Sequence, residues 1–184
     1  SASGQTRAMK WIWNFYLYSF FGFLLEVVYA RLTRAKKRDR KCRLLLPLCP
    51  VYGLGAAVLS ALPELVTANL PLLFLGGALS ATAIEYAAAV FYETVWHVRF
   101  WDYSDCFGSV QGRICLPFAL IWGALGVVLV RWALPLTDRF TALLPPWLLL
   151  PCTALYLVDF VLTSFILHRT GSTSALQWYR NKSA

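Results

Sequence analysis

Five stretches of this chain are apolar over lengths that can cross a bilayer, and that limits its fold more than any other feature. The hydrocarbon core is about 30 Å thick and takes roughly 20 apolar residues in helical form to cross. No water reaches the backbone there, so each run must satisfy its own N–H and C=O groups as a helix, because isolated strands cannot close. The runs lie at about 11–32, 44–62, 71–98, 114–134 and 146–168. The expected fold is all-α: a polytopic membrane helical bundle of about five transmembrane helices, with residues 1–184 forming a single integral membrane domain. Composition agrees, with 59% hydrophobic and 14% charged residues, where a soluble domain carries about 25% charge. The first run starts aromatic and has no small-residue cleavage site behind it, which speaks against a removed signal peptide.

Charge position sets the expected orientation. The net charge is +8, but seven basic residues (Arg34, Lys36, Lys37, Arg38, Arg40, Lys41 and Arg43) crowd one loop at 33–43. A basic cluster beside a span fixes topology and meets anionic headgroups, so nucleic acid is not an expected partner and membrane lipids are. Adding Arg99, Arg113, Arg169, Arg180 and Lys182 gives twelve basic residues on that side; Arg7, Lys10, Arg131 and Arg139 make four on the other. The N-terminus is therefore expected outside, with the C-terminus, the basic loop and the polar loop 99–113 in the cytoplasm. Pro63, Pro71, Pro135, Pro145 and Pro146 read as breakers in the outer loops, and Trp11, Trp13, Trp96, Trp101, Trp132 and Trp147 as an aromatic belt.

The second run is the weakest helix. Pro47, Pro50, Gly53 and Gly55 crowd its start, so it is read either as a broken or re-entrant element or as an ordinary Pro-rich helix start. Broken backbone persists at membrane depth only when buried in protein or lining a wet cavity.

Carboxylates at membrane depth are costly and rarely idle, which draws attention to Glu26, Glu85, Glu93 and Asp159. Glu85 and Glu93 are eight residues apart, about 12 Å along a helix and roughly 80° around it, so they cannot share one metal or proton. Tyr86 and Glu93, seven apart, nearly eclipse and form a polar stripe. Ser19, Gly22 and Glu26 give the first span a narrow small-and-polar face suited to close packing. Between the third and fourth runs, Trp101–Cys115 concentrates two carboxylates, a guanidinium, aromatic residues and glycines. Asp102 and Arg113 are expected to pair there. The odd set of five cysteines suggests no disulfide framework, and the absence of CxxC leaves no standard zinc pattern. Cys49 and Cys115, at similar depth, are expected to approach each other. No cofactor or metal is implied.

Several multi-residue segments, in order, carry a family resemblance. They are Tyr18–Glu26, Pro47–Gly55, Glu85-Tyr86 with Glu93, Trp101–Ser104, Gly112–Leu116 and Trp122-Gly123. On these the chain resembles the putative ABC-transporter type IV, or CmpB-like, membrane proteins of bacteria. The resemblance implies a permease in the inner (plasma) membrane. The chain has no G-x-x-x-x-G-K-[ST] loop, so an ATP-driven role implies a separate ATPase subunit, and the small size implies a homodimer or larger assembly.

The leading expectation is a permease-type transporter with a polar intramembrane path lined by Glu26, Tyr52, Glu85, Tyr86 and Glu93. Asp102, Tyr103 and Arg113 would close its cytoplasmic edge. An acidic lining favours a cation or a protonatable coupling step. Two alternatives stand beside it. One is an intramembrane protein that binds or modifies a lipid or isoprenoid headgroup, with Arg113 on a phosphate, although no catalytic triad or metal triad is visible. The other is a non-catalytic membrane scaffold with its acids all paired.

Overall fold

A computed structural model describes residues 7–33 and 41–177. The described residues are helical, with one isolated antiparallel bridge between Val110 and Ile114 and no other strand. The helices are α1 (Arg7–Leu32), α2 (Pro50–Ser60), α3 (Glu64–Ala68), α4 (Leu70–Val95), α5 (Leu116–Val128), α6 (Leu134–Thr141) and α7 (Leu149–Thr170). A π turn, Leu129–Ala133, joins α5 to α6 without a break.

Four helical stretches are long and apolar enough to cross a membrane: α1, α4, the α5–α6 unit and the segment ending in α7. The second expected span departs from the reading. Helix α2 has 11 residues, about 16 Å at 1.5 Å per residue, or half a bilayer core. The sequence expectation of five spans becomes four long helices and one half-length helix. Pro47 and Pro50 are the reason: a helix cannot run through them from the basic loop.

The missing half of that span is a non-helical strap over residues 41–49, packed against α1 and α7. The Cys49 N–H donates to the Ser19 carbonyl at 2.8 Å, and Ser19 is midway along α1. The strap's backbone donors are met by side chains of α7. Leu45 N–H donates to Asp159 Oδ1 at 2.8 Å, Leu46 N–H to Oδ2 at 3.3 Å, and Leu44 N–H to Thr163 Oγ1 at 3.0 Å. Tyr156, Asp159, Phe160 and Thr163 follow the three-and-four spacing of one helix face, so all four meet the strap. Asp159 is thus a cap for non-helical peptide at membrane depth.

Arg43 corrects the reading of the basic cluster. Its side chain is 2% exposed and donates through Nη2 to Tyr156 Oη at 2.5 Å. Its guanidinium carbon stands 4.6 Å from the Tyr156 ring centre and 4.9 Å from that of Phe160. Arg43 therefore belongs to the core rather than to a headgroup surface. Arg34, Lys36, Lys37, Arg38, Arg40, Arg180 and Lys182 lie outside the described residues.

Close packing of α2 on α1 follows the expected small face. A Cβ on Gly53 would stand 2.5 Å from the Phe15 carbonyl and overlap the Ser19 hydroxyl, and one on Gly22 would enter the Tyr52 side chain. Two further expectations change. Pro135 is not a loop breaker but lies within the third long helix, the α5–α6 unit. The preceding π turn, in which Leu134 N–H donates to Leu129 C=O five residues back, opens the ladder where the proline ring would clash. Trp13 and Trp96 are buried rather than interfacial, with Trp96 stacked on Tyr92 at 5.0 Å between ring centres. Trp11, Trp132 and Trp147 remain exposed.

Candidate functional site

The strap and half-helix leave space beside them. A cavity of about 340 Å³ runs between α1, α2, α4 and the α5–α6 unit, from the strap and loop 96–115 toward the π turn. Glu26, Lys41, Tyr52, Glu85, Tyr103, Trp122, Thr173 and Gln177 are among its polar lining; Phe21, Leu25, Ala56, Leu59, Leu125 and Leu129 are among its apolar lining. Phe21 and Leu25 on its α1 wall are 47% and 45% exposed.

Each polar group is placed by its element. Glu26 closes the Ser19–Gly22–Glu26 face of α1 and accepts from Tyr52 Oη at 2.6 Å. Tyr52 stands in the first turn of α2, its ring edge-on to Trp122 at 5.4 Å between centres. Glu85 is 5% exposed; its Oε1 accepts from Tyr103 Oη at 3.0 Å and its Oε2 from Trp122 Nε1 at 2.9 Å. Tyr103 reaches it from the loop and stacks on Phe118 of α5 at 4.7 Å. Burial first, then the Glu85 carboxylate beside it, push the Tyr103 phenol well above its ordinary range, so it stays an O–H donor.

The loop that delivers Tyr103 is a folded hairpin. Tyr103 N–H donates to Gly112 C=O at 2.8 Å, Val110 N–H to Ile114 C=O at 2.9 Å, and Trp101 Nε1 to Arg113 C=O at 2.9 Å. Gly112 turns it with φ +70°, and a Cβ there would stand 2.6 Å from Asp102 Oδ1. That crowding and the left-handed backbone both require glycine.

A family model described as putative ABC-transporter type IV matches residues 13–166. The chain belongs to this family. The match takes in α1 through most of α7 and so contains the strap, the hairpin, and Glu26, Tyr52, Glu85, Tyr103 and Trp122 of the cavity; Thr173 and Gln177 of its lining lie beyond it. No curated protein and no solved structure matches the chain. The family description and the four apolar helices make this a membrane protein with a transport-related role.

The family segments divide into two groups in space. Glu26, Tyr52, Glu85 and Tyr103 share the cavity, while Tyr86, Glu93, Asp102 and Arg113 do not line it. The second group is a latch beside α4. Arg113 donates to Glu93 Oε2 through Nε at 3.0 Å and Nη2 at 2.7 Å, and through Nη1 to Tyr86 Oη at 3.1 Å and to the Gln111 amide oxygen. Arg99 Nε takes the other Glu93 oxygen at 2.8 Å. The Tyr86–Glu93 stripe is thus bridged by one guanidinium. Glu93 comes first in raising Arg113 above its ordinary value, so the guanidinium stays charged.

Asp102 and Arg113 do not pair, contrary to expectation. Asp102 Oδ1 accepts from Ser104 Oγ at 2.5 Å and Ser104 N–H at 3.0 Å, and Arg99 stands 3.6 Å from Oδ2. Those Ser104 donors hold its carboxyl below the ordinary range. Asp102 acts as an Asx-type brace for the hairpin.

Cys49 and Cys115 take other partners than each other. Cys49 Sγ lies 2.8 Å from Cys42 Sγ, and Cys115 sits beside Cys106. No group of three or more metal-ligating side chains occurs among the described residues.

Trp122 and Gly55 were missed as site residues by sequence reasoning. A tryptophan in mid-span, away from either interface, was the available signal for the first. Gly55 faces the cavity with nothing within 4 Å of a Cβ built on it.

Proposed function

We propose that the protein is a permease-type transport component whose substrate path is the cavity between α1, α2, α4 and α5. The observation that carries this is the convergence of two intramembrane carboxylates, Glu26 and Glu85, from different helices on one cavity beside a broken span. Non-helical peptide at membrane depth beside a cavity is how transporters build sites that bind and release polar cargo. A carboxylate-lined cavity selects a cation or takes part in a protonatable coupling step.

The basic-residue count supports an orientation with the strap, the hairpin and the Arg113–Glu93–Arg99 latch on the cytoplasmic side of the plasma membrane. The latch then frames the inner end of the path, and any ATPase subunit docks on that face. A homodimer suits so small a permease. The headgroup alternative needs Arg113 for a phosphate, and Glu93 already takes two of that guanidinium's donors.

Proteoliposomes holding the purified chain test the proposal. Downhill flux of protons, potassium, methylammonium and tetraphenylphosphonium is compared with protein-free vesicles. Flux of at least one of these cations is expected, and Glu85→Gln should return it to background without lowering thermal stability. Flux equal in the two proteins, or none above background, contradicts the proposal.

A further inference from the structure

We propose that the cavity's ligand is an amphiphilic organic cation, a protonated amine or onium group held at Glu85 on an apolar body lying along α1, α2 and α5. This rests on the reading of the cavity as a transport path and narrows its substrate class.

The two acids of α4 are treated in opposite ways. Glu93 faces two guanidinium groups at 2.7 and 2.8 Å. Glu85 meets only neutral donors among its described partners, the Tyr103 hydroxyl and the Trp122 indole, one on each oxygen. A carboxylate has about four acceptor positions, so half of its capacity remains for a ligand. A buried carboxylate needs a counter-charge or a proton, and the cavity is where one arrives. Lys41 is the basic side chain of the described lining, and its Nζ donates to the Leu44 carbonyl at 3.1 Å near the strap.

The surroundings select the kind of cation. A bare metal ion wants six or so oxygen ligands, and the wall supplies leucines and aromatic rings instead. Tyr52, Tyr103 and Trp122 line the cavity around Glu85, and aromatic ring faces are what hold diffuse organic cations. Toward the π turn the lining becomes mostly apolar, and Phe21 and Leu25 on that wall are half-exposed. A ligand with an apolar body enters by that side and places its charge at the carboxylate.

The test uses two ions of one shape and opposite charge, tetraphenylphosphonium and tetraphenylborate, with the full chain in lipid nanodiscs and equilibrium dialysis against empty discs. Saturable binding of the phosphonium and none of the borate is expected. Glu85→Gln should weaken it about tenfold or more, since a charge-assisted contact is lost, and Gly55→Phe should abolish it. Glu64→Gln, an exposed charge change on α3, should leave it unchanged. Equal binding of both ions, or phosphonium binding indifferent to Glu85→Gln, overturns the proposal. No phosphonium binding alongside Glu85-dependent potassium or proton flux also overturns it and leaves the transport reading intact. Glu85-dependent phosphonium binding without flux of any cation upholds this assignment and removes the transport step.

Discussion

Asp159→Ala is expected to cost about 2–5 kcal/mol, enough to leave little folded protein at growth temperature. Asp159 is fully buried in α7 and accepts the N–H groups of Leu45 and Leu46. Each buried donor left without a partner costs about 1–3 kcal/mol. Its hydroxyl neighbour Thr163 covers only Leu44. Asp159→Asn should fall between, since one amide oxygen still accepts while the NH₂ opposes the second strap donor. Thermal unfolding of the three purified proteins in detergent gives the order, and proteolysis should report early cleavage within 41–49. An alanine variant as stable as the parent would mean that the strap is held elsewhere.

Gly55→Phe should abolish transport while the protein keeps its stability. The glycine lies inside α2, where any larger residue other than proline improves helix propensity by up to about 1 kcal/mol. It lines the cavity, and a Cβ built on it meets nothing within 4 Å. A phenyl ring there fills the path next to Tyr52 without displacing protein atoms. Gly53→Phe, two residues earlier, meets the opposite situation, because its Cβ would overlap Ser19 and crowd the Phe15 carbonyl. That variant should lose about 1–3 kcal/mol or more by overpacking. Flux and melting temperature measured on both variants separate a blocked path from a damaged helix pair. Full flux through Gly55→Phe would show that cargo passes elsewhere.

Much of the architecture was legible because membrane helices are written in long apolar runs. The Ser19–Gly22–Glu26 face and the Tyr86–Glu93 stripe followed from helical geometry alone, and both meet the partners that geometry allows. Pro47 and Pro50 flagged the broken second span. What it becomes depends on Asp159, more than a hundred residues away, and a local pattern carries no such information. Arg43 was hidden in the same way: six other basic residues precede it in the same loop, and only the α7 face decides that it turns inward. The partner of Arg113 depended on the hairpin's register, which Gln111 and Gly112 set through positive φ values of 55° and 70°. Asp102 was therefore assigned the wrong arginine. The cavity itself is a property of four helices at once: four of the eight residues singled out in the sequence line it, Glu26, Tyr52, Glu85 and Tyr103, and Trp122 enters only with the tertiary packing.

The central claim is that Glu85 faces a reachable cavity inside the membrane. Dicyclohexylcarbodiimide, a small apolar reagent that enters lipid and adds to carboxyl groups, tests it on the intact chain in membranes, with peptide mass spectrometry locating the adduct. Labelling of Glu85 is expected in the parent protein, with Glu93 protected by its two arginines, and Gly55→Phe should suppress the Glu85 adduct. An unlabelled Glu85, or one labelled equally when Gly55 is replaced by phenylalanine, would contradict a cavity that leads to this carboxylate.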